Sequence, residues 1–213
     1  MLSQYMEDSE LFDLLQTLST LASSSTWSAR HGSVLTISSM LRHNPSRICL
    51  SPAFSSVVNL LKDTLKDDKF PVRETATKAL GRILLHQAQN DHLNTNAQLQ
   101  LLPFIVSTLQ DDSSEVRRRA LSGLKAIAKV NTMAIMAYLT NLGPALAECL
   151  KDGNTPVRLA AERCALHVFQ LTKGMENVQA AQKFITGLDA RRLSKLPEHS
   201  DGSEDSEEDV ASG

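Results

Sequence analysis

Four arginines recur along the chain, Arg30, Arg73, Arg117 and Arg158, at separations of 43, 44 and 41 residues. The stretches just before the last three hold acids: Asp67 and Asp68, Asp111 and Asp112, and Asp152. A planar guanidinium fork opposite a carboxylate makes paired, charge-assisted hydrogen bonds, so the chemistry this pattern offers is ionic clamping rather than bond making. Each arginine falls inside an apolar helical arc, where an unpaired guanidinium would be costly. The spacing therefore predicts a ladder of Arg73, Asp111, Arg117, Asp152 and Arg158, each arginine bonded to its own turn and to the turn of the next unit. Direct contact with a ligand is the alternative role. The first unit carries Ser24, Ser25 and Thr26 in place of an acid, so Arg30 is expected to be engaged differently.

Other reactive groups form no constellation. Cys49, Cys149 and Cys164 are odd in number, with no CxxC spacing, and Cys149 and Cys164 lie at or near apolar helix faces as small buried thiols. The histidines do not cluster, because His86 and His92 are separated by Gln87 to Asp91, which reads as a loop. There is no Gly-rich phosphate loop, no nucleophile elbow, and no carboxylate pair outside the turns. The expectation is a non-enzymatic protein with no cofactor, no metal and no small-molecule substrate.

The elements that position the arginines follow from the apolar spacing. Three, seven and ten residues after each anchor stand Ser33/Ile37/Met40, Ala76/Leu80/Ile83, Ala120/Leu124/Ile127 and Ala161/Ala165/Val168, one side of a helix. Upstream stand Leu14/Leu18, Val57/Leu61, Leu101/Ile105 and Leu142/Leu146, so a second apolar helix precedes each anchor at a fixed distance. Each unit is a helical hairpin of forty-odd residues, and such units stack into a one-dimensional array. The reading is all-α: a solenoid of about four hairpins, over residues 10–22 with 27–42, 53–90, 97–137 and 139–173. Gly174 is a plausible cap, and apolar residues from Val178 to Leu188 suggest a C-terminal cap helix over 177–188. Aromatic content of 4% suits thin helical layers of Leu, Ala, Val and Ile. Prolines and glycines are sparse and read as seams, among them Pro45, Pro52, Pro71, Pro103, Pro144 and Pro156.

Charge divides the chain. Residues 198–213 hold seven acids and no Lys or Arg, whereas everything before them carries twenty-two basic residues against seventeen acids, a formal +5. That tail cannot bury enough apolar surface to fold. The organisation expected is a lead-in over 1–9, the array over 10–192 and a disordered acidic tail over 193–213. Ser200, Ser203 and Ser206 lie in the acidic run as candidate phosphosites, and a merely solubilising tail is the alternative. No apolar run approaches the ~20 residues that span a bilayer, and the N-terminus lacks the basic region of a secretory signal, so a cytoplasmic, membrane-free protein is expected.

Arg118, Ser122, Lys125 and Lys129 fall at helical steps opposite the apolar arc of the third unit, and Lys78, Arg82 and Arg163 occupy neighbouring or equivalent offsets in the second and fourth. These cations form a candidate binding stripe on the inner, concave helices for an acidic partner, protein or ribosomal RNA. Ordinary solvated helix surface is the alternative, since no aromatic residues are interleaved for base stacking.

Particular stretches carry a family resemblance. Trp27-Ser-Ala-Arg30-His31-Gly32, Phe70-Pro-Val-Arg73, Ser114-Glu-Val-Arg117 and Asn154-Thr-Pro-Val-Arg158 look like HEAT repeats, and the run from Gln179 to Lys195 resembles the C-terminal end of the general control non-derepressible translational activator family, in its plant branch. The resemblance implies a fragment of a very long HEAT solenoid that associates with ribosomes and binds the RWD domain of the stress kinase acting on the α subunit of initiation factor two. No kinase-binding residue is carried over from the family onto this chain. A TOG-like tubulin-binding array is the second reading, because Trp27 sits in a turn where that module presents a Trp. The acidic turns oppose it.

Overall fold

The computed structural model describes residues 6–90, 95–130 and 132–172. Within them the chain forms α1 (Asp8–Leu21), α2 (Trp27–His43), α3 (Pro45–Cys49), α4 (Phe54–Thr64), α5 (Phe70–Asn90), α6 (Thr95–Ser107), a 3-10 turn (Thr108–Gln110), α7 (Ser114–Val130), α8 (Thr132–Ala137), α9 (Leu139–Cys149) and α10 (Thr155–Thr172). No strand occurs among the described residues. The architecture is a HEAT-type α-solenoid of four hairpins: α1/α2, α4/α5, α6/α7 and α9/α10. The expected cap helix over 177–188, Gly174, the acidic tail and its serines Ser200, Ser203 and Ser206 lie outside the described residues.

Local signals account for the helix ends. At the start of α1, Glu7 and Glu10 form a reciprocal capping box, with the Glu7 backbone N–H donating to Glu10 Oε2 at 2.8 Å. The inner helices α5, α7 and α10 are each preceded by an Asx turn, in which Asp67, Asp111 and Asp152 accept from the backbone N–H of Lys69, Ser113 and Asn154 at 2.9, 2.8 and 2.8 Å. Pro45 opens α3, where its missing N–H costs nothing.

Three details differ from the spacing-based reading. The segment after His86 is helix, not loop: α5 continues through Asn90 because Leu84 and Ala88 remain on its buried side. Pro103 and Pro144 are not seams but lie inside α6 and α9. Both belong to outer helices; Pro144 is exposed and Pro103 half-buried, so the lost backbone donor falls where solvent is near. Finally, the short helices α3 and α8 bridge successive hairpins.

The inner helices form the spine, with α2 packed on α5, α5 on α7, and α7 on α10. One continuous core runs through them, including Leu15, Ile37, Leu61, Leu80, Ile105, Leu124, Leu146 and Ala161. Burying each Leu or Ile contributes roughly 1.5–3 kcal/mol, which no single hairpin could gather alone. Among the described residues no helix is long and apolar enough to cross a membrane, and no group of His, Cys, Asp and Glu could hold a metal ion.

The spine is tightest where α5 meets α7. A Cβ added to Gly81 would stand 3.8 Å from the Gly123 Cα, an ordinary van der Waals contact. Gly81→Ala is therefore expected to be neutral or to stabilise by up to about 1 kcal/mol through helix propensity. Gly81→Val should push the two helices apart and cost about 1–3 kcal/mol. Thermal melts of the two variants check this ordering.

Candidate functional site

The four anchor arginines lie in the first turns of α2, α5, α7 and α10, half-buried at the edge where each hairpin turns. Arg73 grips Asp111 side-on, Nε to Oδ2 at 2.7 Å and Nη2 to Oδ1 at 2.9 Å, while its Nη1 donates to the Asp67 carbonyl at 2.8 Å. Arg117 repeats the arrangement on Asp152 at 2.7 and 3.0 Å, with Nη1 on the carbonyls of Asp111 and Asp112 at 2.7 and 3.0 Å. Arg73 and Arg117 thus each take backbone carbonyls from their own turn and a carboxylate from the next, while Arg158 bonds the carbonyls of its own turn, Asp152 and Gly153, at 2.6 and 3.0 Å. The acids of the arginine's own turn do not serve it as side chains.

That division corrects the expectation for Arg30. Its Nη1 finds the carbonyls of Ser24 and Ser25, both at 3.2 Å, which any residue type supplies. Its Nε and Nη2 bond to Asp67 at 2.5 and 2.9 Å, and Nη2 also reaches Asp68 at 2.6 Å. Arg30 and Asp67 are therefore a rung like the others. The signal for it was available, since an acid stands six residues before Arg73, Arg117 and Arg158 alike.

The pairing shifts Arg30, Arg73 and Arg117 upward and Asp67, Asp111 and Asp152 downward, the sense that favours charge. The hydrogen bond from Arg30 holds the Asp67 carboxyl below the usual carboxylate range, and the bond from Arg117 does the same for Asp152. For Asp111 burial pulls upward, but the bonds from Arg73 and the Ser113 N–H outweigh it and the net shift is down. Burial acts on the thiols in the opposite functional sense: Cys149 is pushed up to about 11 and Cys164 up to about 12, so both stay protonated and inert as nucleophiles.

A cleft of about 370 Å³ opens between α2 and α5, lined by His31, Leu35 and Arg42 on one side, Glu74, Lys78 and Arg82 on the other, and reached by Arg119 from α7. These side chains stand one, five, nine or twelve positions after the anchors, apart from Arg119, which stands two after Arg117. Polar bonds tie the helices across its floor. His31 Nε2 meets Thr75 Oγ1 at 3.1 Å, Arg119 Nε donates to Glu74 Oε1 at 2.9 Å, and Arg82 Nη1 lies over α2 on the Ser38 carbonyl and hydroxyl at 2.5 and 2.8 Å. Basic side chains outnumber the single carboxylate, which is already bonded to Arg119.

Of the expected stripe, Lys78 and Arg82 line this cleft. Arg118, Ser122, Lys125 and Lys129 hold comparable offsets in the third unit, and Arg163 in the fourth. They are unequal in exposure. Lys129 and Arg163 are exposed, Lys125 is half-buried, and Arg118 is half-buried with its Nη2 on Glu115 at 3.0 Å. The spacing argument missed Arg119, which sits two residues past an anchor. It also missed that Leu35 and Leu159, 51% and 50% exposed, share the offsets of the cations. The surface is mixed apolar and basic. Trp27, 45% exposed, leads into it with its ring centroid 6.2 Å from that of His31.

Comparison with known proteins points to one family over most of the chain. Residues 30–184 match the family model described as GCN1-like, C-terminal HEAT repeats. The chain is 66% identical to Protein ILITYHIA of Arabidopsis thaliana, over 99% of its own length and 8% of that protein. It is 24% identical to the human Stalled ribosome sensor GCN1, over 95% of this chain and 8% of that one. Identity to the eIF-2-alpha kinase activator GCN1 of Saccharomyces cerevisiae is 25%, over 66% and 6%. The chain therefore spans less than a tenth of the length of these relatives. Among solved structures, a designed armadillo repeat protein in complex with a (KR)4 peptide superposes with a TM-score of 0.61 at 19% identity, covering 85% of this chain and 77% of that one, a likeness of fold.

Two measurements test the ladder. Arg117→Ala should lower stability by roughly 2–4 kcal/mol, since it strips Asp152 of its guanidinium partner, leaving only the Asn154 N–H, and leaves two turn carbonyls without their donor, whereas Arg118→Ala removes an edge pair worth well under about 1 kcal/mol. Thermal melts that rank them the other way would overturn the assignment. Because the native carboxyl values are depressed, the ladder's contribution is complete above the ordinary Asp value of about 3.9 and is lost as pH falls through the lower native values. Asp152→Asn should accordingly show a melting temperature that varies less than the parent's between about pH 4 and 2.

Proposed function

The chain belongs to the family of GCN1-like C-terminal HEAT repeats, and on that premise we propose that it is a non-catalytic, cytoplasmic protein-binding scaffold within a ribosome-associated activator of the kinase that phosphorylates translation initiation factor two alpha. The names of its relatives, a stalled ribosome sensor and an eIF-2-alpha kinase activator, support this reading. The observation that carries it is the cleft between α2 and α5, where Arg42, Lys78, Arg82 and Arg119 from three successive spine helices gather against one carboxylate, Glu74. Such a positive surface suits an acidic partner, whether ribosomal RNA backbone or an acidic face of the kinase's RWD domain. Such contact strengthens encounter more than it fixes a single pose, as a scaffold requires.

The tubulin-binding reading gains nothing from the turn edge. Tubulin is acidic, and the carboxylates the turns leave exposed are those of Asp68 and Asp112, while Asp67, Asp111 and Asp152 are held by arginines. The acidic run over 198–213 is a competitor for the same cations, and phosphorylation at Ser200, Ser203 or Ser206 would add about 1.5–2 negative charges per site to that competition.

The test is ribosome co-sedimentation and pull-down of the kinase RWD domain at matched salt. Arg118→Glu with Lys125→Glu and Lys129→Glu is expected to weaken binding severalfold. If RNA backbone is the target, it should also make the salt dependence shallower by about two to three in log–log slope. Truncation after Pro197 is expected to strengthen binding. Unchanged capture of both partners in both variants would assign the stripe to ordinary solvated surface.

A further inference from the structure

The cleft between α2 and α5 has two unlike ends. Among the described residues six large hydrophobic side chains stand exposed, and three of them gather here. Leu35, 51% exposed, lines the cleft, while Trp27 and Phe70, 45% and 48% exposed, open α2 and α5 one helical turn before the lining residues His31 and Glu74. Pro71 lines the same end. Further along the same two helices the lining is cationic, with Arg42 on α2 and Lys78 and Arg82 on α5. The one carboxylate, Glu74, stands toward the apolar end and is bonded to Arg119 Nε at 2.9 Å. The other two units do not repeat this polarity. At the offsets of Trp27, His31 and Leu35 the third carries Ser114, Arg118 and Ser122, and the fourth Thr155, Leu159 and Arg163.

We propose that the α2/α5 cleft docks an extended peptide with a large apolar side chain at one end and carboxylates at the other, the apolar residue seated on Trp27, Phe70 and Leu35 and the carboxylates beside Arg42, Lys78 and Arg82. This rests on the protein-binding reading of that cleft and names the class of ligand it takes. From Phe70 to Arg82 the surface runs about 18 Å along α5, which an extended chain covers in about five or six residues. A nucleic-acid backbone repeats its charge at every nucleotide and asks for cations along the whole track with aromatic rings interleaved. Here rings and cations are segregated, and a carboxylate lies between them. The aromatic end supplies buried area at little cost in side-chain entropy, and the cationic end sets which way round the peptide lies.

Trp27 is the single tryptophan of the chain, so its emission reads the apolar end directly. The full chain is titrated with the peptide Leu-Leu-Ser-Gly-Ser-Asp-Asp-Asp and with the same residues in reverse order. One of the two is expected to shift the emission to the blue, saturably, with an affinity that falls as salt rises. Replacing the peptide's leucines by serine, or its aspartates by asparagine, should each weaken binding by about tenfold or more, changes that leave the protein's own folding untouched. Phe70→Ser, and Arg42→Glu with Lys78→Glu, should do the same from the protein side. No shift up to about 1 mM of either peptide, an equal response to the asparagine peptide, or an oligouridylate that gives the same shift and displaces the peptide would each overturn the assignment. A chain that captures ribosomes or the RWD domain yet gives no shift overturns this assignment alone and leaves the scaffold reading in place.

Discussion

A helical hairpin of forty residues has two sides that need covering and only one partner helix of its own, so everything in this chain depends on how one hairpin is fixed to the next. Apolar packing supplies most of the free energy but little of the register, because ridges of Leu, Ile and Ala slide past one another at modest cost. The guanidinium supplies the register. Arg73 cannot satisfy its donors unless Asp67's carbonyl and Asp111's carboxylate stand on opposite sides of it at 2.7–2.9 Å, and this happens at one setting of the two units. A half-buried charge is costly when its partner is displaced, so the clamp penalises wrong stackings more than it rewards the right one.

The clamp also frees the cleft-bearing face of the spine for other work. With the anchors turned toward the turn edge, positions one, five, nine and twelve residues further on face the cleft between α2 and α5. There the constraint is looser: His31 on Thr75 and Glu74 on Arg119 are chemically different bridges at equivalent places, and Arg82 on Ser38 makes a third about two turns further along. A surface whose composition changes from unit to unit while its spacing does not is what an array needs in order to recognise an extended partner.

Fold and spine were legible in the sequence because both rest on period. Apolar residues at helical spacing, repeated every forty-odd positions, admit one arrangement of hairpins, and the recurrence of arginine beside acidic turns marks the edge where the units meet. Even the missed Arg30 rung was written there, in the constant distance from each acid to the arginine that follows it.

What the tertiary structure alone decided is which groups of a turn do which task, and what the groove looks like. Spacing cannot tell a carbonyl from a carboxylate of the same turn, since both lie within reach of one flexible side chain; only the stacked neighbour selects between them. Nor does helical period reveal that Arg82 reaches over to α2, that Arg119 enters the cleft, or that Leu35 stands exposed beside the cations. Those outcomes depend on distances between helices more than forty residues apart, and long side chains such as Arg settle by the acceptors that packing brings near them. The sequence by itself determined the repeat, its edge and its charge; the packing of one unit against the next decided where those charges point.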